Sequence, residues 1–312
     1  MKPQSRRAFM HATAACAGLA GMDMLAAAGE KAIQGFDETA TSTRNDAVWE
    51  PVSDRKIRVG IVGYGVCRFG AAFSFQDHPN VEVAAVSDLF PDRCSELAKV
   101  CRCEKTYPSL EELVKDDSIE AVFVATDAPS HPRHCISVLE HGKHVASAVP
   151  AVFGSLEDAD RLLEAVKKSG LKYMMFETSA FRNDCYAMRQ VYRAGGFGQM
   201  IYTEGEYFHY TDTPIDSYKN WRLGAPPQWY PTHANAYYTC VTGGTFTHVS
   251  CLGMPSTAGR FQPGSNAYNN RFGTEVALYQ TSEGGMARMV ESRDIPGSHG
   301  EVGRVRGQKG SM

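Results

Sequence analysis

The sequence predicts a two-part α/β chain: a doubly wound parallel sheet first, then an α+β domain with a mostly antiparallel open sheet. Three observations carry this. Short β-branched runs alternate with helical patterns between residues 56 and 177. The first of these runs, residues 57–62, leads directly into Gly63 and Gly65. From about residue 178 the grammar changes to longer stretches that alternate residue by residue.

Residues 57–62 read as a strand buried on both faces. Gly63-Tyr64-Gly65-Val66 follows, and Ala71, Ala72, Phe73 and Phe75 read as the start of a helix. Strand, glycine turn and helix bring backbone N–H groups and a positive helix end to one place, where a pyrophosphate binds. The last glycine of a G-x-G-x-x-G pattern is Arg68 here, and the next glycine is Gly70. A second strand, 81–87, ends in Asp88, 23 residues after Gly65. A carboxylate at that place binds the adenosine ribose hydroxyls and repels a 2′-phosphate, which favours NAD over NADP. The pattern is that of a Rossmann dinucleotide-binding domain.

The remaining elements keep the alternation. Pro91 opens a helix to about residue 100, and Ser109 caps one running to about 115. Strand 121–125 ends in Thr126, and Ser130 caps a helix to about 140, with His131 at its first turn. Strand 144–148 ends in Ala148, and Ser155 caps helix 156–168 before strand 172–176. The carboxyl ends of these strands, at Gly63, Asp88, Thr126 and Ala148, define the expected cofactor cleft.

The first 28 residues carry Ser5-Arg6-Arg7-Ala8-Phe9-Met10, then an Ala- and Gly-rich stretch ending in Ala26-Ala27-Ala28. This reads as a twin-arginine signal peptide, 1–28, with export to the periplasm or beyond. The stretch 11–28 is too short and too polar to span a membrane. Folded export predicts a cofactor that travels bound and is recycled in place. Residues 29–55 read as a linker, 56–177 as the NAD-binding domain and 178–312 as the substrate and oligomerisation domain. A net charge of −3 gives no footprint for nucleic acid. Nine cysteines show no zinc spacing, Cys101-x-Cys103 being one residue short of C-x-x-C, and they read mainly as small buried residues.

In the second domain, a helix over 183–194 ends at Gly195-Gly196. Strand 199–210 places Thr203, Gly205, Tyr207 and His209 on one face, and Tyr202, Glu204, Glu206 and Phe208 on the other. That split sets Glu206 and His209 apart and argues against a metal site. Further strands are expected over 245–251, 270–281, 285–292 and 301–306. The chain ends shortly after the last of these, so the domain is expected to be incomplete at its C-terminus.

Taken together, Val59-Gly60-Ile61-Val62-Gly63-Tyr64-Gly65, Asp88, Val124-Ala125-Thr126 with His131, Gly142-Lys143-His144-Val145, and Gly196-Phe197-Gly198 resemble the Gfo/Idh/MocA oxidoreductases over residues 56–312. The resemblance implies NAD held in the first domain and a sugar or polyol against the second domain's sheet. It implies a homo-oligomer built through that sheet, and hydride transfer between substrate and nicotinamide. It also implies a Glu-Lys-Pro triplet after the fifth strand, where this chain has Ala148-Val149-Pro150. Pro150 is retained at the cofactor, but Val149 carries neither proton nor charge.

That triplet, with Trp229-Tyr230-Pro231-Thr232-His233, is similar to the NAD-dependent glycosidases of glycoside hydrolase family 109, although Phe181 stands where a tyrosine is expected. Tyr230 and His233 are therefore the candidate acid/base pair, and Pro231 fits a helix start that would put both on one turn. Arg182, Arg222 and the aromatics Tyr202, Tyr207, Phe208, Tyr210, Trp221 and Trp229 are candidates for the sugar site. Three functions follow: an NAD-dependent oxidoreductase on a sugar or polyol, a redox-cycling glycosidase, or a sugar-binding protein that retains its cofactor without turnover.

Overall fold

The computed structural model describes residues 50–297 and 299–312. The twin-arginine motif, the cleavage site and most of the proposed linker lie outside the described residues. The end of that linker belongs to the fold. Asn80 Oδ1 accepts from the Val52 N–H at 2.9 Å, and its amide nitrogen donates to the Ser53 and Arg55 carbonyls at 2.7 and 2.8 Å. One buried side chain thus ties residues 52–55 to the turn before the second strand.

Six parallel strands form the first sheet: β1 (Ile57–Val62), β2 (Val81–Ser87), β3 (Thr106–Tyr107), β4 (Ala121–Val124), β5 (His144–Ser147) and β6 (Tyr173–Met175). Their order is β3-β2-β1-β4-β5-β6. Both faces are covered, which is why the strands read as continuous apolar runs. On one side Val122, Val124 and Val145 pack with Cys135, Val138 and Leu139 of α4 (His131–Glu140) and Leu162 of α5 (Leu156–Ser169). On the other, Ile61, Val86 and Phe123 pack with Leu97 and Cys101 of α2 (Pro91–Cys101). Ser155 caps α5 as expected, accepting from the Asp158 N–H, and Ser109 does the same for α3 (Leu110–Leu113) through Glu112. Ser130 precedes α4 but donates to Asp127 instead of capping.

The helix expected behind the glycine turn is a single turn, α1 (Phe69–Ala72). Arg68 and Ser74 sit at φ of 51° and 53° on either side of it. Phe73 and Phe75 leave the helical path to join Phe123 and Phe176 in one aromatic cluster, with ring centroids 5.0–5.5 Å apart. Burying four rings outweighs extending a short helix. Gly70 is the close-packing glycine, since a Cβ there would meet the Gly63 carbonyl. The third glycine role is thus filled two residues later than the motif places it.

The second sheet is mixed: β7 (Met200–His209), β8 (Phe246–Pro255), β9 (Phe272–Thr281), β10 (Met286–Ser292) and β11 (His299–Gly307), in the order β11-β7-β10-β9-β8. Only the β7–β10 pair is parallel. Two helices, α6 (Asn183–Arg193) and α7 (Thr232–Thr242), share a core with one face of this sheet through Met188, Tyr237 and Val305. Gly205 and Gly303 make the seat: a Cβ at either would collide with the Ala234 carbonyl or the Tyr237 ring. Helix and sheet can approach this closely only with glycine there. The opposite face carries exposed Leu252, Met254, Leu278 and Val302, and a charge group in which Glu204 pairs with Arg304 and Glu206 with Arg288. Residues 308–312 turn back along β11, where Val305 and Met312 exchange N–H···O bonds of 2.8 and 2.9 Å. The last strand is therefore followed by a short closing turn. The eight cysteines among the described residues are free thiols, and five of them are buried.

Candidate functional site

At the carboxyl ends of β1, β2, β4 and β5 lies a cleft lined by Gly63, Tyr64, Gly65, Val66, Asp88, Thr126, His131, Ala148 and Val149. Gly63 adopts φ 101°, and a Cβ there would strike the Ala125 carbonyl. Nothing lies within 4 Å of where a Cβ on Gly65 would sit, so that backbone faces open space. A turn with one glycine for conformation and one for close approach fits a pyrophosphate. Asp88 closes β2 and anchors the loop: its Oδ2 accepts from the Tyr64 N–H at 2.7 Å and its Oδ1 from the Phe90 N–H at 2.9 Å. Each oxygen keeps a further lone pair for a ribose hydroxyl. The Tyr64 ring itself is core, 5% exposed.

On the far wall of this cleft, His131 is buried and bridges two strand ends. Its Nδ1 lies 2.7 Å from the Pro150 carbonyl and its Nε2 3.1 Å from the Thr126 carbonyl. Burial lowers its pKa, against both carbonyls. Thr126 Oγ1 meets His134 Nδ1 at 2.8 Å, and burial pushes that imidazole down to about 4. Pro150 does not line the cleft; it contributes the carbonyl that fixes His131. Where the family resemblance implies Glu-Lys, Ala148 and Val149 present only apolar side chains, each 5% exposed or less.

A second cavity opens beside the first and shares Trp221 and Arg222 with it. Phe153, Tyr207, His209, Tyr230, Arg260 and Arg293 line it. Tyr230 and His233 are brought together, but not by one helical turn. Tyr230 follows a 3-10 turn, Pro227–Trp229, with φ −130°, and α7 begins only at Thr232. Pro231 breaks the path between them. Their rings meet at 5.5 Å because both pack against Tyr207, at 4.5 Å from His233 and 6.4 Å from Tyr230. Tyr230 lines the cavity, whereas His233 lies behind the two tyrosines and lines neither cavity.

His233 Nδ1 is 2.7 Å from Glu177 Oε1, which also accepts from the Ser179 N–H at 2.8 Å. Burial works to raise the Glu177 pKa, but these donors outweigh it and the carboxyl lies below its usual range. An ionised Glu177 fixes the proton of His233 on Nδ1 and leaves Nε2 as the basic nitrogen. Burial raises the phenols, Tyr207 to about 12 and Tyr230 further, so both stay protonated at neutral pH.

The residues that sequence reasoning missed come from the sheet. Register places Glu301, Tyr207, Glu291 and Glu275 in one row across β11, β7, β10 and β9. Glu291 is completely buried and neither oxygen finds a hydrogen-bond donor; Arg293 Nη2 stands 3.6 Å from Oε2. Its pKa is raised well above the usual carboxylate range, by burial and against Arg293. The signal was present: Ala287 and Met289 are buried, so period two places Glu291 inward. Other candidates fall away from the cavity. Arg182 pairs with Glu301 at 3.3 Å, Tyr202 donates to Glu204, Tyr210 donates to Asp212, and Trp229 packs edge-on against Phe153.

Residues 57–177 match the family model for the Gfo/Idh/MocA oxidoreductases, described as an NAD-binding Rossmann fold. This domain is thus a Gfo/Idh/MocA-type NAD-binding Rossmann domain. A glycosyl hydrolase family 109 protein of Bacteroides fragilis is 29% identical over 177 residues, 54% of this chain and 38% of its own. One from Porphyromonas gingivalis is 26% identical over 67% of this chain and 48% of its own. One from Saccharopolyspora erythraea is 22% identical over 99% of this chain and 73% of its own. The chain thus spans less than half the length of the first two relatives. Among solved structures, apo scyllo-inositol dehydrogenase from Lactobacillus casei superposes with a TM-score of 0.68 at 18% identity, covering 83% of this chain and 74% of that one. The same enzyme with NAD(H) and scyllo-inositol gives 0.64, over 83% and 76%. These likenesses place both halves of the chain in the Gfo/Idh/MocA dehydrogenase fold.

Proposed function

We propose that this protein is an NAD-dependent oxidoreductase acting on a sugar or polyol, with NAD held tightly in the first-domain cleft. The observation that carries this reading is the junction of the two cavities at Trp221 and Arg222. A glycine-turn cleft suited to a dinucleotide adjoins there a chamber of aromatic rings and polar tips suited to a polyhydroxylated ring. NAD, when bound, supplies the hydride acceptor or donor. The Gly63–Gly65 backbone holds its phosphates, Asp88 its adenosine ribose, and the walls at Ala148 and Val149 exclude water.

Proton handling falls to the second domain. Tyr230, kept protonated by burial, donates to a substrate oxygen at the cavity wall. His233, with Nδ1–H committed to Glu177, offers Nε2 as the proton store behind Tyr207 and Tyr230. The twin-arginine motif supports export with the cofactor already in place. The exposed apolar residues on the outer face of the second sheet support a homo-oligomer built there.

A second reading, a redox-cycling glycosidase, is favoured by the family 109 relatives and by the absence of a lysine at Val149. Purified protein decides between them. The dehydrogenase reading expects NAD in the denatured protein by mass spectrometry and a change of nicotinamide absorbance with a free sugar or polyol. Release of an aglycone with no net cofactor change would replace it with the glycosidase. Protein that is empty and binds added NAD no better than about millimolar would refute both.

A further inference from the structure

The second cavity carries an unbalanced positive charge. Arg222, Arg260 and Arg293 line it, and no carboxylate among the described residues does. Elsewhere in the domain arginines are matched: Arg288 lies 2.7 Å from Glu206, Arg304 3.1 Å from Glu204, and Arg182 3.3 Å from Glu301. Arg260 and Arg222 have no such ion pair among the described residues. Arg260 spends one N–H on the Arg293 carbonyl, at 2.6 Å. Arg222 reaches only the Cys67 sulfur, at 3.7 Å. Arg293 has Glu291 3.6 Å away, but that carboxyl lies beneath the cavity floor, fully buried, where burial favours its neutral form. A guanidinium does not discharge at any working pH, so the charge is permanent.

Aromatic faces hold these groups in place. Arg293 lies 4.6 Å from the Tyr207 ring centre and 5.7 Å from that of Tyr230; Arg222 lies 4.3 Å from Trp221 and 5.9 Å from Tyr230. Stacked guanidiniums with unspent N–H groups are built for planar, bidentate recognition of an anion. Arg222 also borders the dinucleotide cleft and can serve the cofactor. Arg260 and Arg293 line the second cavity alone.

We infer that the substrate is an acidic sugar or polyol, its anionic substituent (a carboxylate, or a sulfate or phosphate ester) held by Arg260 and Arg293. This rests on the sugar reading above and narrows it. The ring would lie on Tyr207, Tyr230 and Trp221, and the anion would supply the missing counter-charge.

The test is calorimetric titration of the NAD-loaded protein with matched pairs: glucose against glucuronate and glucose 6-sulfate, galactose against galacturonate, with inorganic sulfate alone as a further arm. At least one acidic member should bind about tenfold tighter than its neutral partner, the scale of a charge-assisted bidentate contact. That margin should shrink at high salt in the unmutated protein. Arg293→Gln and Arg260→Gln should each erase the margin between acidic and neutral partners while leaving NAD content unchanged. Neutral sugars binding as tightly as their acidic partners would overturn the inference and leave the sugar reading standing. Inorganic sulfate binding as tightly as the sugar sulfate would overturn it as a simple anion site. No sugar of either kind binding the NAD-loaded protein would overturn the sugar reading and this inference with it.

Discussion

The dinucleotide cleft and the aromatic–arginine cavity meet at Trp221 and Arg222, yet they are made of different material. The cleft is a backbone device. Its shape follows from Gly63 at φ 101°, from the open approach at Gly65, and from Asp88 tying two loop N–H groups. The cavity is a side-chain device. It draws Tyr207 from β7, Tyr230 from the loop before α7, and Arg260 and Arg293 from loops flanking β9 and β10. A backbone device is written locally, in the single stretch of chain from Gly63 to Asp88. A side-chain device is assembled from positions as far apart as Phe153 and Arg293, by sheet register and loop packing. The difference teaches that cofactor chemistry can be read along the chain, whereas substrate chemistry must be read across it.

The comparison breaks most directly at His233. If proton transfer belongs to the cavity and cofactor binding to the cleft, His233→Ala lowers turnover by about 10²–10⁴-fold, the usual worth of one general acid/base. NAD affinity stays the same. Because Glu177 keeps its carboxylate beside the vacated ring, Glu177→Gln should follow with a smaller loss and a shifted pH profile. Equal losses of NAD affinity and turnover in His233→Ala would show that the two devices are not separable.

Next come the glycines. Gly63→Ala forces a side chain into a positive-φ turn and against the Ala125 carbonyl, costing about 3 kcal/mol and the cofactor with it. Gly205→Ala lifts α7 off the sheet through the Ala234 carbonyl and should cost a similar amount. The readout that separates them is NAD binding in the surviving folded fraction: lost in the first, retained in the second. Denaturant titration with and without NAD checks both.

Smaller still is Asp88→Ser. It removes charge from the ribose position and should weaken NAD by about 1–3 kcal/mol while narrowing the gap to NADP. An unchanged preference would confine Asp88 to holding Tyr64 and Phe90.

Legibility follows the same division. The parallel strands announce themselves because both faces are buried, and the end of β2 at Asp88 is visible in sequence for that reason. The single-turn α1 was not, since Phe73 and Phe75 carry a helical spacing but are drawn into the cluster with Phe123 and Phe176. Tyr230 and His233 stand out as a pair through the family 109 resemblance, with their spacing as support, although Pro231 and the 3-10 turn make that spacing irrelevant to how they meet. Glu291, Glu301, Arg260 and Arg293 escaped notice because each is one charged residue in a strand or loop. Only register across four strands reveals the row.

The smallest expected effect sets a carboxyl of that row against one outside it. Glu177 and Glu291 are both buried carboxyls, one given two donors and one given none. Glu177 lies below its unfolded pKa, so its contribution is present above about pH 4.3 and is lost as pH falls through the lower folded value. Glu291 is shifted the other way. Its folded form binds the extra proton, so its contribution is present below about pH 4.3 and is lost as pH rises toward the raised folded value. Stability should therefore sag from mildly acidic to neutral pH because of Glu291, with Glu275, raised by burial in the same direction, adding to it. Glu291→Gln keeps the shape, removes the titration, and should raise stability at neutral pH while leaving the acid limb from Glu177 in place. Urea midpoints measured from about pH 4 to 8 in both proteins check this. Parallel curves would mean that Arg293 holds Glu291 ionised after all, and the cavity would then have the counter-charge that its lining lacks.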